Sequence, residues 1–109
     1  ETRGLASREV LAALPKGAHV LNIARGEVVD EPAMIDLLRS GHLGGAYLDV
    51  FYKEPLEPES PLWEMPNVII SPHNSSTSRG NDGRVAEDYF LPNLARMAKG
   101  EALINEVRA

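Results

Sequence analysis

An α/β fold, with a parallel sheet as the middle of three layers and helices flanking it, is the class this sequence predicts. Three observations carry that prediction. Residues 18–23, 45–50 and 67–71 are short apolar runs with little polar alternation, the pattern of strands covered on both faces. A helical pattern over residues 30–41 separates the first two runs, and strand–helix–strand within about 30 residues is a βαβ unit with a right-handed crossover. Gly26, Pro55 and Pro72 follow the three runs as chain breakers.

In chain order, Ser7 is placed to cap a helix over residues 8–14, with Glu9 in its first turn where a negative charge suits the helix dipole. Pro15 stops that helix and Lys16-Gly17 turns the chain into the first strand. Asp30 reads as the N-cap of the second helix and Pro32 falls in its first turn, where a missing N–H costs nothing. Ala33, Met34, Leu37 and Leu38 form its apolar face, and Gly41 its stop. The strand over 45–50 comes next, and residues 53–61, rich in Pro and Glu, are irregular. Residues 62–65 predict one helical turn that drops Trp63 onto the core. After the third strand, residues 73–82 read as a polar loop. A helix is then expected over residues 84–99, with Ala86, Phe90, Leu94 and Met97 on one face and Pro92 kinking it or freeing a carbonyl. Leu103, Ile104 and Val107 in the tail have no partner evident in the sequence.

Composition narrows the function classes. With 109 residues the chain is one small domain or part of a larger one, and its opening on Glu1, inside what reads as structured sequence, suggests a fragment or a processed chain. The net charge is -5 with no basic patch, which argues against nucleic acid. There is no cysteine, so disulfides and thiol chemistry are excluded and a reducing compartment is compatible. No apolar stretch approaches the roughly 20 residues of a membrane-spanning helix.

In a parallel sheet, ligands bind beyond the carboxyl ends of the strands. Arg25 follows the first run, Asp49 and then Glu54 the second, and His73 the third, so topology brings Arg25, Asp49, Glu54 and His73 to one edge. Taken singly, Asp49, Glu54 and His73 each have a plain structural reading as turn, surface or backbone-bonded residues; taken jointly they make a site. A carboxylate beside a histidine favours the protonated ring and orients it. Such a ring can give a proton to a carbonyl oxygen or take one from a hydroxyl. An arginine beside it can grip a carboxylate bidentately. Around an α-keto or α-hydroxy acid, that set suits hydride transfer with a cofactor carrying the hydride.

At these residues the sequence resembles the D-isomer-specific 2-hydroxyacid dehydrogenase family, over nearly the whole chain. Leu21-Asn22-Ile23-Ala24-Arg25-Gly26-Glu27-Val28-Val29-Asp30 is similar to the segment around the family's catalytic arginine. Gly45-Ala46-Tyr47-Leu48-Asp49-Val50-Phe51 through Glu54-Pro55-Leu56 resembles the segment of the catalytic glutamate, and Asn67-Val68-Ile69-Ile70-Ser71-Pro72-His73 that of the catalytic histidine. The resemblance implies that Arg25 binds the substrate carboxylate and carbonyl, that His73 is the acid/base and that Glu54 tunes it. It implies NAD or NADP as cofactor, with Asp49 holding the nicotinamide carboxamide and Ile23, Ala24, Arg25, Asn74, Ser75 and Ser76 lining the nicotinamide site, and no metal. Ser60-Pro61-Leu62-Trp63 is similar to the glyoxylate/hydroxypyruvate reductase branch.

The fold then expected is the second half of a Rossmann-type nucleotide-binding domain. Residues 2–5 resemble the point where that half begins. The family's Gly-rich phosphate loop G-x-G-x-x-G, the residue that separates NAD from NADP, and the substrate domain are absent from residues 1–109. The 109 residues alone are therefore expected to be inactive. For the whole enzyme the resemblance implies a cytoplasmic homodimer acting on a small 2-keto or D-2-hydroxy acid, with neither nucleic acid nor membrane as partner. A non-catalytic NAD-sensing protein, like the corepressors related to this family, is the alternative. A metal hydrolase built on Asp49, Glu54 and His73 lacks a ligand spacing such as His-Glu-x-x-His.

Overall fold

A computed structural model of the chain describes residues 2–78 and 80–107. Glu1, Arg79 of the expected polar loop, and the last two residues of the expected tail lie outside these. The chain divides into two compact units, Glu1–Ser76 and Thr77–Ala109.

The first unit is built on a parallel sheet in the order β1 (Ala18–Asn22), β2 (Leu43–Leu48), β3 (Val68–Ile70). Asn22 stands beside Leu48, and Leu48 beside Ile70, so all three strands finish at one edge. Helices α1 (Arg8–Ala12) and α2 (Glu31–Arg39) accompany the sheet. Ser7 caps α1 through Val10 N–H, and the Asp30 carboxylate caps α2 through Ala33 N–H at 3.0 Å. The expected parallel sheet with flanking helices is present. The second strand begins and ends two residues earlier than the apolar run suggests, so Asp49 and Val50 are already outside it. That places the Asp49 carboxylate at the sheet edge rather than within a strand.

The core packs α2 on β2 and α1 on α2, with Leu11, Met34, Leu38, Leu43, Leu48 and Leu62 almost wholly buried. Within this unit only one face of the sheet is covered. Residues of the opposite parity, Leu21 and Ile69, are 72% and 65% exposed, so the apolar runs overstate the cover this unit provides. The short 3-10 turn Pro61–Glu64 also departs from expectation. Leu62 points into the core, while Trp63 is 53% exposed and donates its indole N–H to the Glu57 carbonyl at 2.9 Å. A 3-10 turn of this length can bury one side chain well, and the branched aliphatic takes the place because the indole N–H needs a polar partner.

The second unit is a helix in three pieces: α3 (Asn81–Val85), a π-helical stretch Ala86–Phe90, and α4 (Leu91–Ala98). It begins three residues earlier than the pattern suggests, and Pro92 lies in the first turn of α4. The π stretch explains how Pro92 is accommodated. Leu91 N–H donates to the Ala86 carbonyl, a bond across five residues, so the ladder passes the point where Pro92 has no N–H to give. The tail gains a partner for its backbone at Ile104, while the Val107 side chain stays 93% exposed as expected. The Asn93 side chain donates to the Ile104 carbonyl at 2.9 Å and accepts Ile104 N–H at 2.8 Å, folding residues 102–104 back along α4.

Candidate active site

Arg25 reaches its place through Asn22, the last residue of β1 and one of two buried polar side chains among the described residues. Its amide donates to the Arg25 carbonyl at 2.9 Å and accepts Ala24 N–H at 3.1 Å, clamping the turn that turns the chain out of the sheet. Gly26 follows because nothing larger fits: a Cβ there would overlap the Phe51 carbonyl group. The Arg25 guanidinium is exposed, donates to the Ala24 carbonyl at 2.7 Å, and pairs with no carboxylate among the described residues.

Glu54 and His73 meet across two loops. Glu54 Oε2 lies 2.7 Å from His73 Nδ1, and Glu54 Oε1 accepts Phe51 N–H at 3.0 Å. The His73 ring, and after it the Phe51 N–H, hold the Glu54 carboxyl below the usual carboxylate range, against the opposing effect of burial and with Arg25 adding to the shift through space. The ring's other nitrogen, Nε2, makes no hydrogen bond to the described residues. Arg25, Glu54 and His73 line one concavity of about 390 Å³ together with Gly26, Glu27, Phe51 and Tyr52. A second concavity of about 670 Å³, walled by Phe51, Leu56, Trp63 and Ile70, meets the first at Glu54 and His73.

Asp49 comes to the same edge but not into that concavity. It is 1% exposed, and both its oxygens are taken. Oδ1 accepts from the Ser71 hydroxyl and from Asn74 N–H, at 2.9 Å for the latter, and Oδ2 accepts Ser75 N–H at 3.0 Å. Burial opposes its ionisation, yet the Ser71 hydroxyl and the Ser75 and Asn74 groups outweigh burial and hold its carboxyl well below the usual range. Ile23 is 62% exposed at the end of β1, with Ala24, Asn74 and Ser75 exposed nearby along the same edge, and Ser76 exposed beyond them. Sequence reasoning passed over Asn22, Ser71 and Tyr47. Asn22 and Ser71, polar residues closing apolar strands, carried a signal; Tyr47 did not. Among the described residues no group of three or more His, Asp or Glu side chains is arranged to hold a metal ion.

Residues 1–75 match the family described as D-isomer specific 2-hydroxyacid dehydrogenase, NAD binding domain. The chain belongs to the D-isomer specific 2-hydroxyacid dehydrogenase family. Its fold matches that of a member of this dehydrogenase family from Xanthobacter autotrophicus Py2, solved with NADPH and MES, at 48% identity and a TM-score of 0.87 over 98% of this chain. It also matches an NADPH-dependent glyoxylate/hydroxypyruvate reductase from Sinorhizobium meliloti, solved with NADP and sulfate, at 40% identity and a TM-score of 0.81 over 97% of this chain. A third match, at 35% identity and a TM-score of 0.82 over 98% of this chain, is a probable 2-hydroxyacid dehydrogenase from Rhizobium etli CFN 42 with NADP, HEPES and L(+)-tartaric acid. The chain spans 43% of the first of those structures and 34% of each of the other two. No helix among its described residues is long and apolar enough to cross a membrane.

Proposed function

We propose that the whole protein is an NAD(P)-dependent dehydrogenase acting on CH–OH groups, which interconverts a small 2-keto acid such as glyoxylate or hydroxypyruvate with its D-2-hydroxy acid. One observation carries the reading: the Glu54–His73 pair faces Arg25, which pairs with no carboxylate among the described residues, across one concavity. A 2-keto acid offers what those groups lack, a carboxylate for Arg25 and a carbonyl oxygen for His73 Nε2.

In reduction, Arg25 grips the carboxylate and polarises the neighbouring carbonyl. His73 donates a proton from Nε2 to the carbonyl oxygen as that oxygen gains negative charge. Glu54, fixed at Nδ1, holds the ring's orientation and balances its positive charge before transfer. Oxidation of the hydroxy acid runs the same path backwards, with Nε2 taking the hydroxyl proton. NAD(P)H, when bound, supplies the hydride.

The residues present fit the nicotinamide end of that cofactor. Ile23 offers exposed apolar surface to a flat ring, and Ala24, Arg25, Asn74, Ser75 and Ser76 stand along the same edge with Asp49 beneath Asn74 and Ser75. The chain contains no G-x-G-x-x-G to take the pyrophosphate. We propose accordingly that these residues are the later part of the cofactor domain, that phosphate loop and substrate domain are supplied elsewhere in the whole protein, and that the whole enzyme is a cytoplasmic homodimer. The relatives bound to NADPH or NADP favour NADP over NAD.

The test is to assay the whole protein with NADPH and NADH against glyoxylate, hydroxypyruvate and pyruvate. Turnover of at least one, lost in His73→Ala, is the expected result. Tight NAD(P)H binding with no turnover of any 2-keto or D-2-hydroxy acid would overturn it in favour of a non-catalytic NAD-sensing protein.

A further inference from the structure

His73 stands at the apex of a loop whose two sides are tied to one carboxylate. Ser71, two residues before it, and Asn74 and Ser75, the two after it, all donate to Asp49. The backbone at His73 has φ 51°, in the left-handed region. Residues with a side chain adopt it uncommonly, His being among the types enriched there, and keep it where their surroundings favour it.

The anchor is itself pinned to all three strands. Asp49 follows β2 directly, and its N–H donates to the Asn22 carbonyl at the end of β1 at 3.0 Å. Ser71 follows β3, and its N–H donates to the Leu48 carbonyl at 3.0 Å. The side chains of Tyr47, Asp49, Ile69 and Ser71 share one parity, so Tyr47 and Ser71 meet on the same side of the sheet as Asp49. The hydroxyls between them have one possible order. An ionised carboxylate only accepts, so Ser71 gives its proton to Asp49, and its oxygen accepts the Tyr47 hydroxyl at 2.9 Å. A lone contact to a loop would not need a buried carboxylate saturated from both sides.

We infer that Asp49, Ser71 and Tyr47 are positioning residues for His73: they hold the loop on both sides of it, keep its backbone left-handed and so aim Nδ1 at Glu54. The inference rests on the reading of His73 as the acid/base. It gives Asp49 a task distinct from contact with the cofactor, and gives Tyr47 and Ser71 tasks where none was evident.

The experiment uses the whole protein with Asp49→Asn, Ser71→Ala, Ser71→Thr and Tyr47→Phe. Asp49→Asn keeps the shape but turns one acceptor into an NH2 facing N–H donors. A misaligned acid/base costs roughly 100-fold in kcat for Asp49→Asn and roughly tenfold for Ser71→Ala, with Tyr47→Phe milder. Ser71→Thr, which keeps the hydroxyl, restores the rate. KM for NAD(P)H stays near wild type in Ser71→Ala and Tyr47→Phe. Glu54→Gln added to Asp49→Asn costs far less than Glu54→Gln alone, because the pair is already misaligned. The His73 ring signals in NMR spectra move in Ser71→Ala and return in Ser71→Thr. Additive losses, a raised KM for NAD(P)H and unmoved ring signals would make Asp49 a cofactor ligand only and overturn the inference. If wild type turns over no 2-keto acid, the functional reading fails, and the ring signals still decide the positioning: a shift in Ser71→Ala supports it, constancy overturns it. Ser71→Ala also serves if Asp49→Asn does not fold.

Discussion

Glu54 holds His73 with one oxygen and its own loop with the other. Oε2 lies 2.7 Å from His73 Nδ1, while Oε1 accepts Phe51 N–H at 3.0 Å, three residues back along the chain. The carboxylate therefore cannot rotate away from the ring without breaking the turn that leaves β2. The backbone of Phe51 is in turn packed so closely on Gly26 that a methyl group there would displace it. Arg25, Glu54 and His73 are thus tied through the Phe51 backbone and the Glu54–His73 side-chain contact, although they come from three separate parts of the sequence.

Glu54→Gln tests the pair. The amide keeps the shape but cannot balance a positive ring, and one of its two terminal atoms is now a donor. In the whole enzyme kcat for keto-acid reduction should fall roughly 100-fold, the lower end of what a positioned acid or base contributes. A kcat unchanged by the substitution would mean the two side chains do not act together.

Arg25→Lys should cost more than a retained charge suggests. A point ammonium cannot form the paired bonds of a guanidinium, and loss of a hydrogen-bonded charge partner costs about 2–4 kcal/mol. That loss should appear in kcat/KM for the keto acid. Near wild-type kcat/KM would remove Arg25 from the site.

Asp49 makes a prediction about acid stability. Its folded carboxyl titrates well below its ordinary value of 3.8, so its contribution is complete above that value and is lost as the pH falls towards the folded one. Glu54, also shifted down, acts in the same sense. Melting temperatures measured from pH 7 downwards should fall steeply below about pH 4. Asp49→Asn should melt lower than wild type at pH 7 and approach it as the pH drops. A constant gap between the two curves would show that ionisation of Asp49 contributes nothing to the fold.

The turn at Pro61–Glu64 separates a core residue from a surface one. Leu62 is 1% exposed, and Leu62→Ala should destabilise the fold by about 2–5 kcal/mol in urea unfolding. Trp63→Phe removes one hydrogen bond, to the Glu57 carbonyl, and should cost only about 0.5–1.5 kcal/mol. Equal losses would contradict the burial seen here.

How much of this was legible beforehand varies with the distance over which each feature is decided. The caps at Ser7 and Asp30 were readable because a cap bonds within three residues of itself. The break at Pro92 was readable, but its resolution by a π stretch was not, since either a kink or a longer loop of hydrogen bonds would have served. Trp63 was placed on the core because aromatic side chains bring large apolar area; the choice between it and Leu62 depended on where the Glu57 carbonyl lay. The pairing of the Ile104 backbone with Asn93 is not legible, because nothing near residue 104 points to a side chain eleven residues earlier.

The sequence by itself determined the βαβ order, the parallel sheet, and the edge at which Arg25, Asp49, Glu54 and His73 would collect. These follow from the period of apolar residues and the handedness of crossovers, which are local or topological rules. Only the tertiary structure decided which of the four share a concavity. Arg25, Glu54 and His73 do, while Asp49 lies buried behind them with every oxygen engaged. The difference comes from hydrogen bonds across 19 to 26 residues, from Glu54 to His73 and from Asp49 to Ser71, Asn74 and Ser75. Such bonds depend on the register of the strands, because a shift of one residue would turn Tyr47 and the strand-end side chains of Asp49 and Ser71 to the opposite face.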